Sequence, residues 1–284
     1  MRFGLSSHIF RYAICGVATR PAAPPSAGDV LGRAAALGLQ AVQFCENLPL
    51  AALTTTEWEH LLEASRRLRV AIEVGTRGLE VTKLLEHVDL AARAGSRALR
   101  LVLDATDLAA ISEALRPVLR RCQDREVILA IENHFDLGSA QLVELMQRMD
   151  NPWLGICLDT ANTTGLLERS METVVALIPY TAQVHLKDYA VEKAPVGYRI
   201  TGRILGQGWL DVPAVLGAVV GAGRDPDVFL EQWMEPEESL EATLAKEQDW
   251  VEASVRTARS YLAAAPRWGS PYEGALGEPR LGGS

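Results

Sequence analysis

Four residues of this chain have the types and spacing of a cation site: Glu132, Asp159, His185 and Glu231. Each sits at or near the end of a short apolar run. The runs are VILAIEN (127–133), LGICLD (154–159), TAQVHLKD (181–188) and DVFLEQW (227–233). Unpaired charges are costly inside a core, and three carboxylates with one imidazole can share a divalent cation as their partner. Oxygen-rich ligation with a single imidazole suits Mn2+ or Mg2+, with Co2+ or Zn2+ as further candidates. Any one of these residues alone reads as structural. Their recurrence at the ends of successive strands points to a site.

The elements that must position them alternate along the chain. Candidate strands are 2–7, 41–46, 70–75, 98–104, 127–132, 154–159, 182–187 and 228–233, with helical patterns between them. The helices include 55–68, 87–96, 139–149 with Ser139 as an N-cap, and a long amphipathic stretch 239–265. Gly-containing turns at 36–40 and 93–97 fall where helices should stop. Eight strands each followed by a helix predict a single-domain α/β protein, a (β/α)8 TIM barrel over residues 1–265. A doubly wound open sheet is the alternative, without a GxGxxG or Walker A motif to support it. Two βα connections, 19–28 and 189–211, are long enough to be lids on the C-terminal face, or ordinary surface insertions. Residues 266–284 are dense in Gly and Pro and predict a flexible tail.

Bulk properties narrow the function class. The chain has 284 residues, 48% of them apolar, and a formal net charge of −8. That balance argues against a nucleic-acid partner or an anionic membrane surface. Cys15, Cys45, Cys122 and Cys157 are scattered without a CxxC pair and read as buried thiols. No run approaches the ~18 apolar residues of a membrane helix, and the N-terminus makes a poor signal peptide. A cytoplasmic location is the expectation.

Several short motifs carry a family resemblance: IEN (131–133), CLDTAN (157–162), HLKD (185–188), GQGWLD (206–211) and LEQW (230–233). Over about residues 2–264 the chain resembles the xylose-isomerase-like TIM-barrel superfamily of sugar isomerases and epimerases. The resemblance implies that Glu132, Asp159, His185 and Glu231 hold one divalent metal ion. It also implies that Glu132 and Glu231 act as acid/base groups on opposite sides of a keto-sugar or polyol substrate. GTRG (75–78) and GYRITGRILGQGWLD (197–211) more weakly resemble the branch that includes 3-oxo-isoapionate decarboxylase.

The chemistry expected of such a site is formation of an enediolate, which a cation spanning a carbonyl and its neighbouring hydroxyl stabilises. Loss and return of a proton gives a metal-dependent sugar isomerase or epimerase, which is the first expectation, with a lyase as the alternative. Loss of CO2 gives a lyase acting on a 3-oxo sugar acid, and loss of water gives a dehydratase. A decarboxylase wants cations, and Lys187, two residues past His185, points to the same side of an extended strand. Arg77 and Arg203 are further cationic candidates for substrate, whether a carboxylate or a phosphate. His8, His134, Asn162 and Trp233 are secondary substrate contacts. Asn162 stands where many epimerases of the superfamily carry a histidine, which weakens a simple ketose 3-epimerase. Gly206 and Gly208 read as a tight turn whose amides could face substrate. An endonuclease IV-like DNA-repair enzyme would need several extra histidines that are absent. A non-catalytic barrel would be expected to have lost the four ligands. Relatives of this shape imply a homodimer or homotetramer.

Overall fold

The computed structural model describes residues 1–18 and 21–264. Its barrel strands are β1 (Phe3–Ser6), β2 (Ala41–Phe44), β3 (Ala71–Arg77), β4 (Ala98–Val102), β5 (Ile128–Glu132), β6 (Leu154–Asp159) and β7 (Thr181–Leu186). An antiparallel hairpin, β8 (Asp188–Lys193) with β9 (Tyr198–Arg203), follows β7, and β10 (Asp227–Leu230) completes the set. Among the described residues, eight parallel strands close into a barrel in the order β1-β10-β7-β6-β5-β4-β3-β2. The expected TIM barrel is therefore the fold, and the open sheet is excluded by the closure of β1 on β10.

Alternation along each strand splits the core in two. Leu5, Val42, Ile72, Leu99, Leu129, Ile156, Val184 and Val228 are almost fully buried in one cluster with the apolar faces of the helices. Each such side chain contributes about 1.5–3 kcal/mol by leaving water. Their strand neighbours carry other chemistry: Gln43, Glu73, Arg100, Glu132, Gln183 and His185 are buried too. Gln43 and Gln183 meet across the barrel at 3.0 Å, so this second set fills the interior. A small apolar layer of Ala98, Ala130 and Cys157 lies among them.

Helix ends follow ordinary rules, with one correction. Gly38 (φ 62°) and Gly95 (φ 70°) adopt the left-handed backbone expected where helices stop. Ser139 is the first residue of its helix and not the N-cap, which is Gly138. Gly138 offers no side-chain oxygen, so Gln141 Oε1 accepts the Gly138 N–H at 3.1 Å and Glu168 accepts that of Ser139 at 2.9 Å. A second correction concerns Cys15, which is exposed; Cys45, Cys122 and Cys157 are buried and all four are free.

The two long connections differ. Residues 19 and 20 of the first lie outside the described residues. The second, expected as a lid or a surface insertion, is built on the β8–β9 hairpin. Its base is fixed: a side chain at Gly202 would collide with the Trp233 backbone just past β10. Only the tip, with Val196 and Tyr198 exposed, is free to reach solvent. The proposed tail 266–284 lies outside the described residues. Among the described residues no helix is long and apolar enough to cross a membrane.

Candidate metal centre

Glu132 ends β5, Asp159 ends β6, His185 is the fifth residue of β7, and Glu231 follows β10 directly. Parallel register aligns these ends, with Asp159 opposite His185 and Phe229 opposite His185. All four side chains are buried. His185 Nδ1 lies 3.3 Å from Glu132 Oε2, 3.2 Å from Glu231 Oε1 and 3.8 Å from Asp159 Oδ2. The structure thus brings the four expected ligands together.

The donor set fits a divalent cation. His185 Nε2 meets Gln43 Oε1 at 2.7 Å. An amide oxygen only accepts, so Nε2 carries the proton of the neutral ring and Nδ1 presents a lone pair. That lone pair faces three carboxylates, none of which can donate when ionised. Asp159 Oδ2, His185 Nδ1 and Glu231 Oε1 are buried without a hydrogen-bond partner, and their residues form a cluster of metal-ligand geometry. Glu46, Glu132, Asp159 and Glu231 are offset by the cations Arg100 and Lys187. The residual charge of two negatives matches one divalent ion.

The remaining oxygens are held in place by the chain. Asp159 Oδ1 accepts the N–H groups of Ala161 and Asn162, both at 2.8 Å. Asn133 brackets the same strand end, donating to the Asp159 carbonyl at 2.8 Å and accepting the Asp159 N–H at 2.7 Å. Asn162 donates to Glu132 Oε1 at 2.8 Å. Two buried cations complete the site. Lys187 Nζ lies 2.8 Å from both Asp159 Oδ2 and Glu231 Oε2, and 3.4 Å from Asn162 Oδ1. The Asp159 contact has ion-pair distance without hydrogen-bond direction. Arg100 Nε donates to Glu132, and its Nη1 donates to Glu46 Oε2 at 2.7 Å.

These charges govern ionisation. Burial alone would raise the Glu132 carboxyl, but the Arg100 guanidinium beside it outweighs this and holds the group below the usual carboxylate range. Burial is likewise outweighed at Glu231, where positive charge, from the His185 ring when that ring is protonated and from the Lys187 ammonium throughout, holds the carboxyl well below its usual range. At Asp159 burial wins, and its carboxyl is raised. Burial would lower the Lys187 ammonium, yet Asp159 and Glu231 raise it.

The other candidates fall into two groups. Trp233 stands beside the cluster, its ring 5.0 Å from Lys187 Nζ and 6.0 Å from Phe135. His134 stands beside it, edge-on to Phe135 at 4.4 Å, and burial lowers its imidazole. His8 Nε2 reaches Glu46 at 3.4 Å on the rim. Arg77 is exposed at the end of β3. Arg203, by contrast, is engaged within the hairpin, donating to Glu192, to Thr201 at 2.8 Å and to the Gly202 carbonyl at 2.7 Å. The expectation that Gly206 and Gly208 amides face substrate is corrected: Asp188 Oδ2 accepts both at 2.9 Å.

Sequence reasoning passed over Arg100, Glu46 and the interior glutamines. Arg100 was visible as a lone charge in the apolar run ALRLV (98–102).

A family model described as xylose isomerase-like TIM barrel matches residues 29–254. The 3-oxo-isoapionate decarboxylase of Pectobacterium atrosepticum is 28% identical over 261 residues, covering 90% of this chain and 94% of that protein. Among solved structures, D-psicose 3-epimerase with D-tagatose from Clostridium cellulolyticum H10 superposes with a TM-score of 0.68 at 13% identity, covering 94% and 99%. A xylose isomerase-like TIM barrel protein from Mycobacterium smegmatis, in complex with magnesium, gives a TM-score of 0.67 at 14% identity, covering 92% and 97%. The matched span, the closed barrel and the strand-end cluster together mean that this chain belongs to the xylose isomerase-like TIM barrel family.

Proposed function

We propose that this protein is a divalent-metal-dependent lyase that decarboxylates a 3-oxo sugar acid. One observation carries the reading: each glutamate expected to act as an acid/base group is tied to a buried cation, Glu132 to Arg100 and Glu231 to Lys187. A base that removes a carbon-bound proton works best with a pKa near the operating pH. These pairings depress basicity instead. Loss of CO2 needs no base; it needs positive charge beside the departing carboxylate and beside the oxygen that receives the electrons.

A divalent cation held by Glu132, Asp159, His185 and Glu231 would supply Lewis-acid stabilisation of substrate oxygens. The chain's residues do the rest. Lys187 stays protonated and presents its charge to the substrate. Its longest contact, the 3.4 Å one to Asn162, is the one a substrate oxygen replaces. Trp233 and His134 wall the pocket, and Arg77 at the rim attracts the anionic substrate. The carbon–carbon bond to the carboxylate breaks, its electron pair moves toward the 3-oxo oxygen, CO2 departs, and the carbon takes a proton from solvent. The similarity to a 3-oxo-isoapionate decarboxylase over nearly the whole chain supports this order of readings.

The isomerase or epimerase reading retains one observation. Glu132 and Glu231 both face His185, at 3.3 and 3.2 Å, so two carboxylates converge on one pocket. A panel of 3-oxo sugar acids and ketoses, incubated with Mn2+-loaded protein, separates the two. CO2 from the acids is the expected result; interconversion of ketoses with no CO2 from any acid would overturn the lyase.

A further inference from the structure

We propose that Glu73, Gln183 and Gln43 form a one-way hydrogen-bond relay that holds His185 with its Nδ1 lone pair toward the metal position, so that these buried residues set metal affinity. The proposal rests on the metal-site reading above and assigns three positioning residues, none of which is itself a ligand.

The chain of contacts runs through the barrel interior. Gln183 Nε2 donates to Glu73 Oε2 at 3.1 Å. Gln43 Nε2 donates to Gln183 Oε1 at 3.0 Å. His185 Nε2 meets Gln43 Oε1 at 2.7 Å. The direction is set at the Glu73 end. Its carboxylate receives the N–H of Arg97 at 3.0 Å and of Ala98 at 3.2 Å, together with the Arg2 guanidinium. Surrounded by donors, Glu73 accepts, so Gln183 turns its NH2 toward it. Gln183 then offers only its oxygen to Gln43, and Gln43 only its oxygen to His185. The Cys45 thiol, 3.5 Å from Gln43 Oε1, is a second donor to that oxygen.

The alternative explains why such a relay matters. A neutral imidazole beside three carboxylates gains most by placing its proton on Nδ1 and donating to one of them. That tautomer removes the lone pair a metal needs. An acceptor fixed at Nε2 reverses the preference, and residues that orient a metal-binding histidine in this way commonly change affinity by 10–100-fold on mutation. The cost of burial argues in the same direction. Barrel interiors are usually filled by branched apolar side chains. Here Gln43, Glu73 and Gln183 are all almost fully buried, and their side chains hydrogen-bond to one another and on to His185.

Gln183→Met tests the relay without touching a ligand. Two readouts are used: Mn2+ affinity by calorimetry, and 15N NMR of histidine-labelled metal-free protein with neutral imidazole, His185 being assigned by its loss in His185→Gln. Wild type is expected to show the Nε2–H tautomer. Gln183→Met is expected to shift toward Nδ1–H and to weaken Mn2+ binding on the order of 10–100-fold. Gln183→Glu, protonated against Glu73, still accepts from Gln43 and should keep both properties. Should Gln183→Met fail to fold, Gln183→Asn is one methylene too short to span both partners and is read in the same way. Unchanged tautomer and affinity, with only thermal stability reduced, would overturn the relay alone. A wild type that binds no Mn2+ would overturn the metal reading and this proposal with it.

Discussion

Arg100 and Glu132 are locked together inside the barrel, the Arg100 Nε donating to Glu132 Oε2 while its Nη1 holds Glu46 at 2.7 Å. One guanidinium thus neutralises a candidate metal ligand and ties it to the rim. Breaking a buried pair by removing one partner strands the other charge, at about 3–5 kcal/mol. Arg100→Met should therefore lose stability on that scale in urea denaturation of metal-free protein. A loss under about 1 kcal/mol would show that Arg100 does not hold Glu132.

Lys187 lies between Asp159 and Glu231, 2.8 Å from each, so its ammonium offsets charge there whatever else is bound. Lys187→Met should lower CO2 release by about 100–1000-fold, the usual effect of removing a positioned electrostatic stabiliser. Metal affinity should not weaken, because an ammonium that neutralises two ligands opposes a cation at the same carboxylates. Weaker Mn2+ binding with normal turnover at saturating metal would contradict this division of roles.

Asp159, His185 and Glu231 each leave one buried atom without a hydrogen bond, close to one another and to Glu132. A divalent ion should therefore stabilise the fold, by about 2.7 kcal/mol at a hundred times its dissociation constant. The melting temperature should rise with Mn2+ and fall back with a chelator. Glu132→Gln and Glu231→Gln should each abolish turnover with the fold intact by circular dichroism, and each should shrink the Mn2+ shift. Equal shifts in wild type and both variants would place the ion elsewhere.

Glu247 is buried and accepts the N–H groups of Tyr12 at 2.7 Å and Ala13 at 3.1 Å. Burial pushes its carboxyl up to about 7 from 4.5, against the pull of those two donors. The folded state therefore holds its proton between those values when the unfolded state has released its own. Stability drawn from this group is greatest at low pH and falls as pH rises through that window. Glu247→Gln cannot ionise, so its melting temperature relative to wild type should climb from pH 5 to pH 8. Parallel profiles would refute the assignment.

How much of this was readable in the chain follows from strand geometry. Strand-end charges stand out because VILAIE and LGICLD are otherwise apolar, and Glu132, Asp159, His185 and Glu231 are all buried at the expected face. The interior column was harder to see. AVQF, AIEV and ALRL each place one polar residue in a buried strand and AQVH places Gln183 ahead of His185, and period-two alternation puts Gln43, Glu73, Arg100 and Gln183 inside the barrel. A buried barrel strand reads as a continuous apolar run, so such a polar residue looks incidental until the sheet closes, when Gln43, Gln183 and Glu73 meet one another and Arg100 meets Glu132. The β8–β9 hairpin was hidden because Gly197 and Gly202 interrupt its apolar pattern, so the segment reads as a lid or a surface insertion. Arg203 was placed with substrate by proximity in sequence, whereas pairing across the hairpin gives it to Glu192.

The central claim is that buried cations on both glutamates make this site break a carbon–carbon bond in preference to a carbon–hydrogen bond. It is tested most directly in D2O, with Mn2+-loaded protein, a 3-oxo sugar acid and a ketose supplied together. The account predicts CO2 released in step with one deuterium gained at the carbon that bore the carboxylate, and no deuterium in the ketose. Deuterium entering the ketose beside its carbonyl while the acid keeps its carboxylate would contradict it.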